Sequence, residues 1–178
     1  MKKILLLLSS PRKHGNTAAL AQAFQNGAEE SGHTVTAFWL GNADIRPCKA
    51  CDYCQTNHGT CIQQDDMSAL YPLLQDCDTL VIASPVYYLG FPGSLKNVID
   101  RTYAESAIGR NIQYSALLTA ACKKESQVTE ALTDYYKKLM QWIGVKDLGV
   151  VSALGVAAPG EVDHTQWIKE AYQLGKQL

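Results

Sequence analysis

Five short apolar runs alternate with longer amphipathic stretches along the chain, and few architectures accept that pattern. The runs are Lys3–Ser9, Thr34–Leu40, Asp78–Ser84, Gln113–Ala121 and Leu148–Val156. The stretches between them predict helices over Asn16–Ser31, Asp65–Gln75, Pro92–Ser106, Ser126–Ile143 and Asp163–Leu178. In the first of these, Leu20, Phe24 and Ala28 share one face and Gly32 follows as a stop. Asp65 and Asp66 open the second, where the helix dipole favours anions, and Pro92 stands near the first turn of the third. A strand that is apolar throughout is buried on both faces. Strand–helix alternation of this kind therefore implies a parallel sheet with helices on each side. The expected fold class is α/β, a doubly wound five-stranded parallel sheet of order 2-1-3-4-5. The 178 residues fit a single domain, 1–178, large enough to bury a core without covalent staples.

The apolar run that begins the chain stops at Leu8, and Ser-Ser-Pro-Arg-Lys follows where a leader would carry a small-residue cleavage site. It reads as a buried first strand. No stretch approaches the roughly 20 apolar residues of a membrane span. The expected location is the cytoplasm, where the six cysteines stay reduced or metal-bound. A formal net charge of −1 offers no basic stripe. Neither nucleic acid nor membrane is expected as a partner.

In sheets of this order a ligand sits beyond the carboxyl ends of the strands, at the switch point flanked by strands 1 and 3. After strand 1 comes Ser9-Ser10-Pro11-Arg12-Lys13-His14-Gly15-Asn16-Thr17, which leads into the first helix. Unpaired N–H groups and the dipole make such a helix start attractive to phosphate. Ser10, Asn16 and Thr17 add donors, and Arg12 adds a cation suited to bidentate contact. It is not a Walker loop, because no lysine follows the glycine, and no G-x-G-x-x-G occurs anywhere. The plainer alternative is that Asn16 and Thr17 only cap the helix. After strand 3 comes Ser84-Pro85-Val86-Tyr87-Tyr88-Leu89-Gly90-Phe91-Pro92-Gly93. Adjacent aromatics at the switch point suit a planar ring, although the same residues could simply close the core.

Cys48, Cys51, Cys54 and Cys61 read C-x2-C-x2-C-x6-C. Four thiolates this close suit an iron–sulfur cluster or zinc, and free or sensor thiols are the third reading. Cys77 reads as a buried small apolar residue, and His14 as a solvated loop residue. Asp100 and Arg101 read as members of local ion pairs, and Trp39, Trp142 and Trp167 as core or interface aromatics.

The segments S-P-R-K-H-G-N-T (Ser10–Thr17), P-C-K-A-C-D-Y-C with C-I-Q-Q-D-D-M (Pro47–Met67) and S-P-V-Y-Y-L-G-F-P-G-S-L-K-N-V-I-D-R (Ser84–Arg101) resemble the NADPH-dependent FMN reductase family of the flavodoxin-like superfamily. Within it they are most similar to the iron–sulfur flavoprotein branch. The resemblance runs in order through the first two-thirds of the chain. It implies FMN, with Ser10, Arg12, Asn16 and Thr17 on the phosphate and Pro85, Val86, Tyr87 and Tyr88 along the isoalloxazine. Thr119 and Ala120, leading to Cys122, would meet the other edge, where relatives often carry glycines. It also implies an NAD(P)H oxidoreductase that passes electrons to a quinone, a flavin or a similar small-molecule or protein acceptor. No catalytic side chain is then needed, since flavin N5 takes the hydride. The branch uses such cysteines for a [4Fe–4S] cluster. An electron carrier and a thiol- or metal-based redox sensor are the alternatives; carrier flavodoxins tend to be strongly acidic, which this chain is not. An apolar loop at Tyr87–Pro92 and the family's habit of building flavin sites near subunit contacts imply a homodimer or larger assembly.

Overall fold

A computed structural model describes residues 1–178. The elements are β1 (Lys3–Leu8), α1 (Asn16–Glu30), β2 (Thr34–Trp39), the short α2 (Tyr53–Thr56), α3 (Met67–Asp76), β3 (Thr79–Pro85), α4 (Gly93–Arg101), β4 (Tyr114–Ala121), α5 (Gln127–Trp142), β5 (Lys146–Leu154) and α6 (Gln166–Lys176). The five strands form one sheet of order β2-β1-β3-β4-β5, and every pairing is parallel. Each strand places alternate side chains on opposite faces. Ile4, Leu6, Val81 and Leu118 pack with Leu20, Phe24 and Ala171 under α1 and α6. Leu5, Leu7, Ile82 and Leu117 pack with Leu74, Leu95, Val98, Leu132 and Tyr136 under α3, α4 and α5. No helix is long and apolar enough to cross a membrane.

Several element boundaries differ from the sequence reading for physical reasons; the last helix, for one, starts at Gln166 and not at Asp163, because residues 160–165 are taken up by turns in which Thr165 Oγ1 donates to the Val162 carbonyl at 2.7 Å. The third helix starts at Met67 because Asp65 lies outside it, its carboxylate accepting the Met67 N–H at 3.2 Å. The stretch Pro92–Ser106 is α4 followed by a 3₁₀ turn, Thr102–Ala107. The last strand begins at Lys146, where Asp147 accepts the Gly149 N–H across a register shift opposite Ser115 and Leu117.

Helices α1 and α6 touch backbone to backbone. A Cβ on Gly27 would lie 2.1 Å from the Tyr172 carbonyl, and one on Gly175 would lie 2.1 Å from the Phe24 carbonyl. The two glycines face opposite helices, and neither contact has a side chain that could move aside.

Candidate active site

At the carboxyl edge of the sheet, the loops after β1, β3 and β4 enclose a cavity of about 350 Å³. Its walls include Ser10, Arg12, Asn16 and Thr17 from the first loop and helix start, Pro85, Val86 and Tyr87 from the second, and Ala120 and Cys122 from the third. Eight of the ten residues that the sequence singled out for FMN therefore stand around one space.

The end of the cavity formed by Ser10, Arg12, Asn16 and Thr17 follows from the way α1 begins. Gly15 caps the helix, and the amides of Ala18 and Ala19 both return to its carbonyl. Asn16 and Thr17 are left as first-turn donors with no partner inside the helix. The Thr17 residue is buried, and its hydroxyl makes no hydrogen bond in the protein. Ser10 Oγ accepts the Arg12 N–H at 3.2 Å and fixes the tight turn before the helix.

Asn16 lines the cavity and also makes two contacts that the sequence does not suggest. Its Nδ2 donates to the Ala158 carbonyl at 2.9 Å, and its Oδ1 accepts from the Val162 amide at 3.3 Å. Arg12 Nη1 reaches the Ala157 carbonyl at 3.4 Å. The segment after β5 is thus drawn across the α1 end of the cavity, where Val156, Ala157 and Pro159 complete the wall. Glu161 holds that segment in shape by accepting the amides of Ala157 and Ala158 at 2.5 and 3.0 Å. Sequence reasoning missed this wall, because most of its contacts are made by backbone.

Two of the residues expected beside the ring, Tyr88 and Thr119, do not line the cavity. Tyr87 and Gly90 exchange both backbone hydrogen bonds at 3.0 Å, which makes Tyr88 and Leu89 the centre of a two-residue turn with φ of 47° and 65°. That left-handed pair costs roughly 1–2 kcal/mol per non-glycine residue. It carries Tyr88 fully into solvent, while Tyr87 stays at the cavity wall. Thr119 is wholly buried within β4, and its hydroxyl has no partner. Cys122, three residues further on, reaches the cavity in its place.

The four loop cysteines form a separate group. Cys48 and Cys51 are exposed, and Cys54 and Cys61 are half-buried. Cys48 Sγ accepts the Ala50 amide at 3.4 Å, Cys54 Sγ the Gln55 amide group at 3.6 Å, and Cys61 Sγ the Arg101 guanidinium at 3.5 Å. No three of these thiols converge on a common point. The loop is held from below by a buried ion pair. Arg101 Nη1 donates to Asp65 Oδ2 at 2.6 Å and to the Arg46 carbonyl at 3.2 Å. Both side chains are almost fully buried, at 1% and 0% exposure. Burial pushes the Asp65 carboxyl up, but the Arg101 bond and the backbone donors of Arg46 and Met67 outweigh it and hold it below the usual carboxylate range. The local pairing expected for Asp100 is present, with Lys96 one turn away at 2.5 Å. Arg101 instead pairs across 36 positions of chain, because it stands on the buried face of α4 with Leu95 and Val98. Cys77 is buried, and burial pushes its thiol up to about 12.

The profile of the NADPH-dependent FMN reductase family matches residues 2–159. An iron–sulfur flavoprotein of Archaeoglobus fulgidus is 31% identical over 179 aligned positions, which span 99% of this chain and 78% of that protein. An iron–sulfur flavoprotein of Methanosarcina thermophila is 33% identical over 100 positions, about half of each chain: 56% of this one and 52% of that. Among solved structures, an NAD(P)H:quinone oxidoreductase from Methanothermobacter marburgensis superposes with a TM-score of 0.76 at 19% identity, covering 99% of this chain and 95% of that one.

Proposed function

The chain belongs to the NADPH-dependent FMN reductase family, and we propose that the switch-point cavity holds FMN and passes electrons from NAD(P)H to a quinone, a flavin or a similar acceptor. The observation that carries this reading is the Thr17 hydroxyl, which lines the cavity with no partner in the protein and stands at a helix start whose first amides are also free. Such a group suits an anion that the protein itself does not supply. Thr17, Ser10, Arg12 and the first-turn amides would hold the phosphate. Pro85, Val86, Tyr87, Ala120 and Cys122 would flank the ring. When bound, FMN supplies a two-electron centre that accepts hydride from nicotinamide. The protein's part is to hold the phosphate, keep Pro85 and Val86 as a dry wall, and leave the Tyr87 side open to donor and acceptor in turn. Turnover of NAD(P)H with a quinone tests the assignment. Thr17→Val is expected to weaken FMN binding by about tenfold to a hundredfold, since a hydrogen bond to a charged group is worth about 1.5–3 kcal/mol. Unchanged FMN affinity in a folded Thr17→Val protein would place the phosphate elsewhere.

The cysteine loop supports a second cofactor by its chemistry and not by its placement. Four cysteines, three of them with N–H groups already directed at sulfur, form a donor set that suits a [4Fe–4S] cluster. As folded they do not converge. A cluster therefore requires the exposed Cys48 and Cys51 to close toward Cys54 and Cys61. Protein purified without oxygen that carries about four iron atoms per chain, lost in Cys51→Ser with FMN retained, is the expected result of that closure. Anaerobic protein with flavin and neither iron nor zinc assigns all four as free thiols and leaves the oxidoreductase reading intact.

A further inference from the structure

We propose that Trp39 is a positioning residue for the phosphate loop, fixing Ser10–His14 so that the cavity favours a phosphorylated flavin over an unphosphorylated one. The inference rests on the reading of the cavity as an FMN site.

The chain leaves the sheet after β1. Leu40 N still donates to the Leu8 carbonyl at 2.8 Å, and Ser9 N to the Ala83 carbonyl at 2.9 Å. One residue later the ladder has no partner to offer. Ser10 is buried, and the peptide that follows it ends on Pro11, so it carries a carbonyl and no N–H. A buried carbonyl needs a donor, and here the only anchor for the peptide plane is that one bond. Trp39 supplies it: the indole Nε1–H donates to the Ser10 carbonyl at 2.8 Å. The residue is the last of β2, in register with Leu8, so the edge strand lends a side chain where its backbone has run out.

Two further contacts converge on the same ring. A Cβ on Gly41 would lie 2.2 Å from Trp39 Nε1, 2.4 Å from the Ser10 carbonyl oxygen and 2.7 Å from Pro11 Cα. The missing side chain at 41 is what lets loop and indole meet. The Lys13 ammonium stands over the indole at 5.1 Å from the ring centre. Lys13 accordingly lines the groove beside α1, while Arg12 alone of the two cations faces the phosphate cavity. The indole thus orients the Ser10–Pro11 peptide, admits the close turn at Gly41 and draws Lys13 away. None of these contacts reaches the ring end of the cavity.

The test is the affinity of flavin-stripped full-length protein for FMN and for riboflavin, measured side by side by fluorescence quenching. Trp39→Phe keeps an aromatic ring, though a smaller one, and removes the donor. It is expected to lower FMN affinity about tenfold and leave riboflavin affinity within about twofold. Gly41→Ala keeps the indole but sets a carbon against both its Nε1 and the Ser10 carbonyl it holds, and is expected to give the same selective loss; it carries the test if Trp39→Phe does not fold. A parallel fall in both flavins would make Trp39 an ordinary packing residue and overturn the inference, as would no fall in either. Parent protein that binds riboflavin as tightly as FMN would overturn the phosphate site itself and the inference with it. Parent selectivity that survives intact in both variants sinks the inference alone.

Discussion

Asp65→Ala is expected to lower stability by about 3–5 kcal/mol, a large share of the 5–15 kcal/mol that holds a domain of this kind together. The size follows from what the substitution leaves behind. Arg101 stays buried with its charge uncompensated, and its Nε is already without a partner. The damage extends into the cysteine loop, because the Asp65 carboxylate also accepts the Arg46 amide at 3.1 Å and Arg101 also holds Cys61. Urea denaturation at neutral pH reads the loss directly. The pH dependence has a fixed sign. Asp65 titrates lower in the folded chain than in the unfolded one, so its contribution is complete above the ordinary carboxylate pKa of about 3.9. It is lost as pH falls from there through the folded value. The parent should therefore weaken in acid along a limb that Asp65→Ala lacks. A denaturation midpoint unchanged by the substitution would mean that the ion pair does not hold the loop.

Gly27→Ala is expected to destabilise the fold by about 3 kcal/mol or more, against the usual direction for glycine within a helix. Alanine gains up to about 1 kcal/mol of helix propensity at such a position. Here the added carbon would lie 2.1 Å from the Tyr172 carbonyl, and a backbone carbonyl cannot swing aside. Overpacking that moves side chains already costs about 1–3 kcal/mol, and moving a whole helix costs at least as much. Gly175→Ala should match it, since its clash with the Phe24 carbonyl, also at 2.1 Å, is the counterpart contact made from the other helix. Gly93→Ala is the control: nothing lies within 4 Å of a Cβ there, so it should be neutral or mildly stabilising. Thermal melts of the three variants decide the matter. A Gly27→Ala protein as stable as the control would mean that α6 packs less closely than described.

The strands could be read in the sequence because parallel strands are buried on both faces. Ile4–Leu7 and Leu80–Ala83 show this as unbroken apolar runs. The two loops at the switch point were legible through their side chains. What could not be read was contact made by backbone or by residues distant in sequence. The wall at Val156–Pro159 adds carbonyls and small side chains, which leave no signature in a string of letters. Asn16 has the composition of a cap and the task of a strap, and only its partners 142 and 146 positions away distinguish the two. Arg101 did carry a signal. Its three-residue spacing from Leu95 and Val98 puts it on the buried side of its helix, and a buried arginine needs a distant acid. Tyr88 gave none, because two successive left-handed residues without glycine run against every local preference.

The strap from Asn16 to the segment after β5 bears on when the site can exist at all. On the ribosome the chain emerges from its amino end, and β1, the loop that follows it and the aromatic turn are all in hand by residue 92. Asn16 has no partner for its amide, and Arg12 no carbonyl to lean on, until residues 157–162 have been made. The pocket is therefore completed only when residues 157–162 have been made, although its signature lies at residues 10–17, and a shorter nascent chain offers the cofactor half a grip.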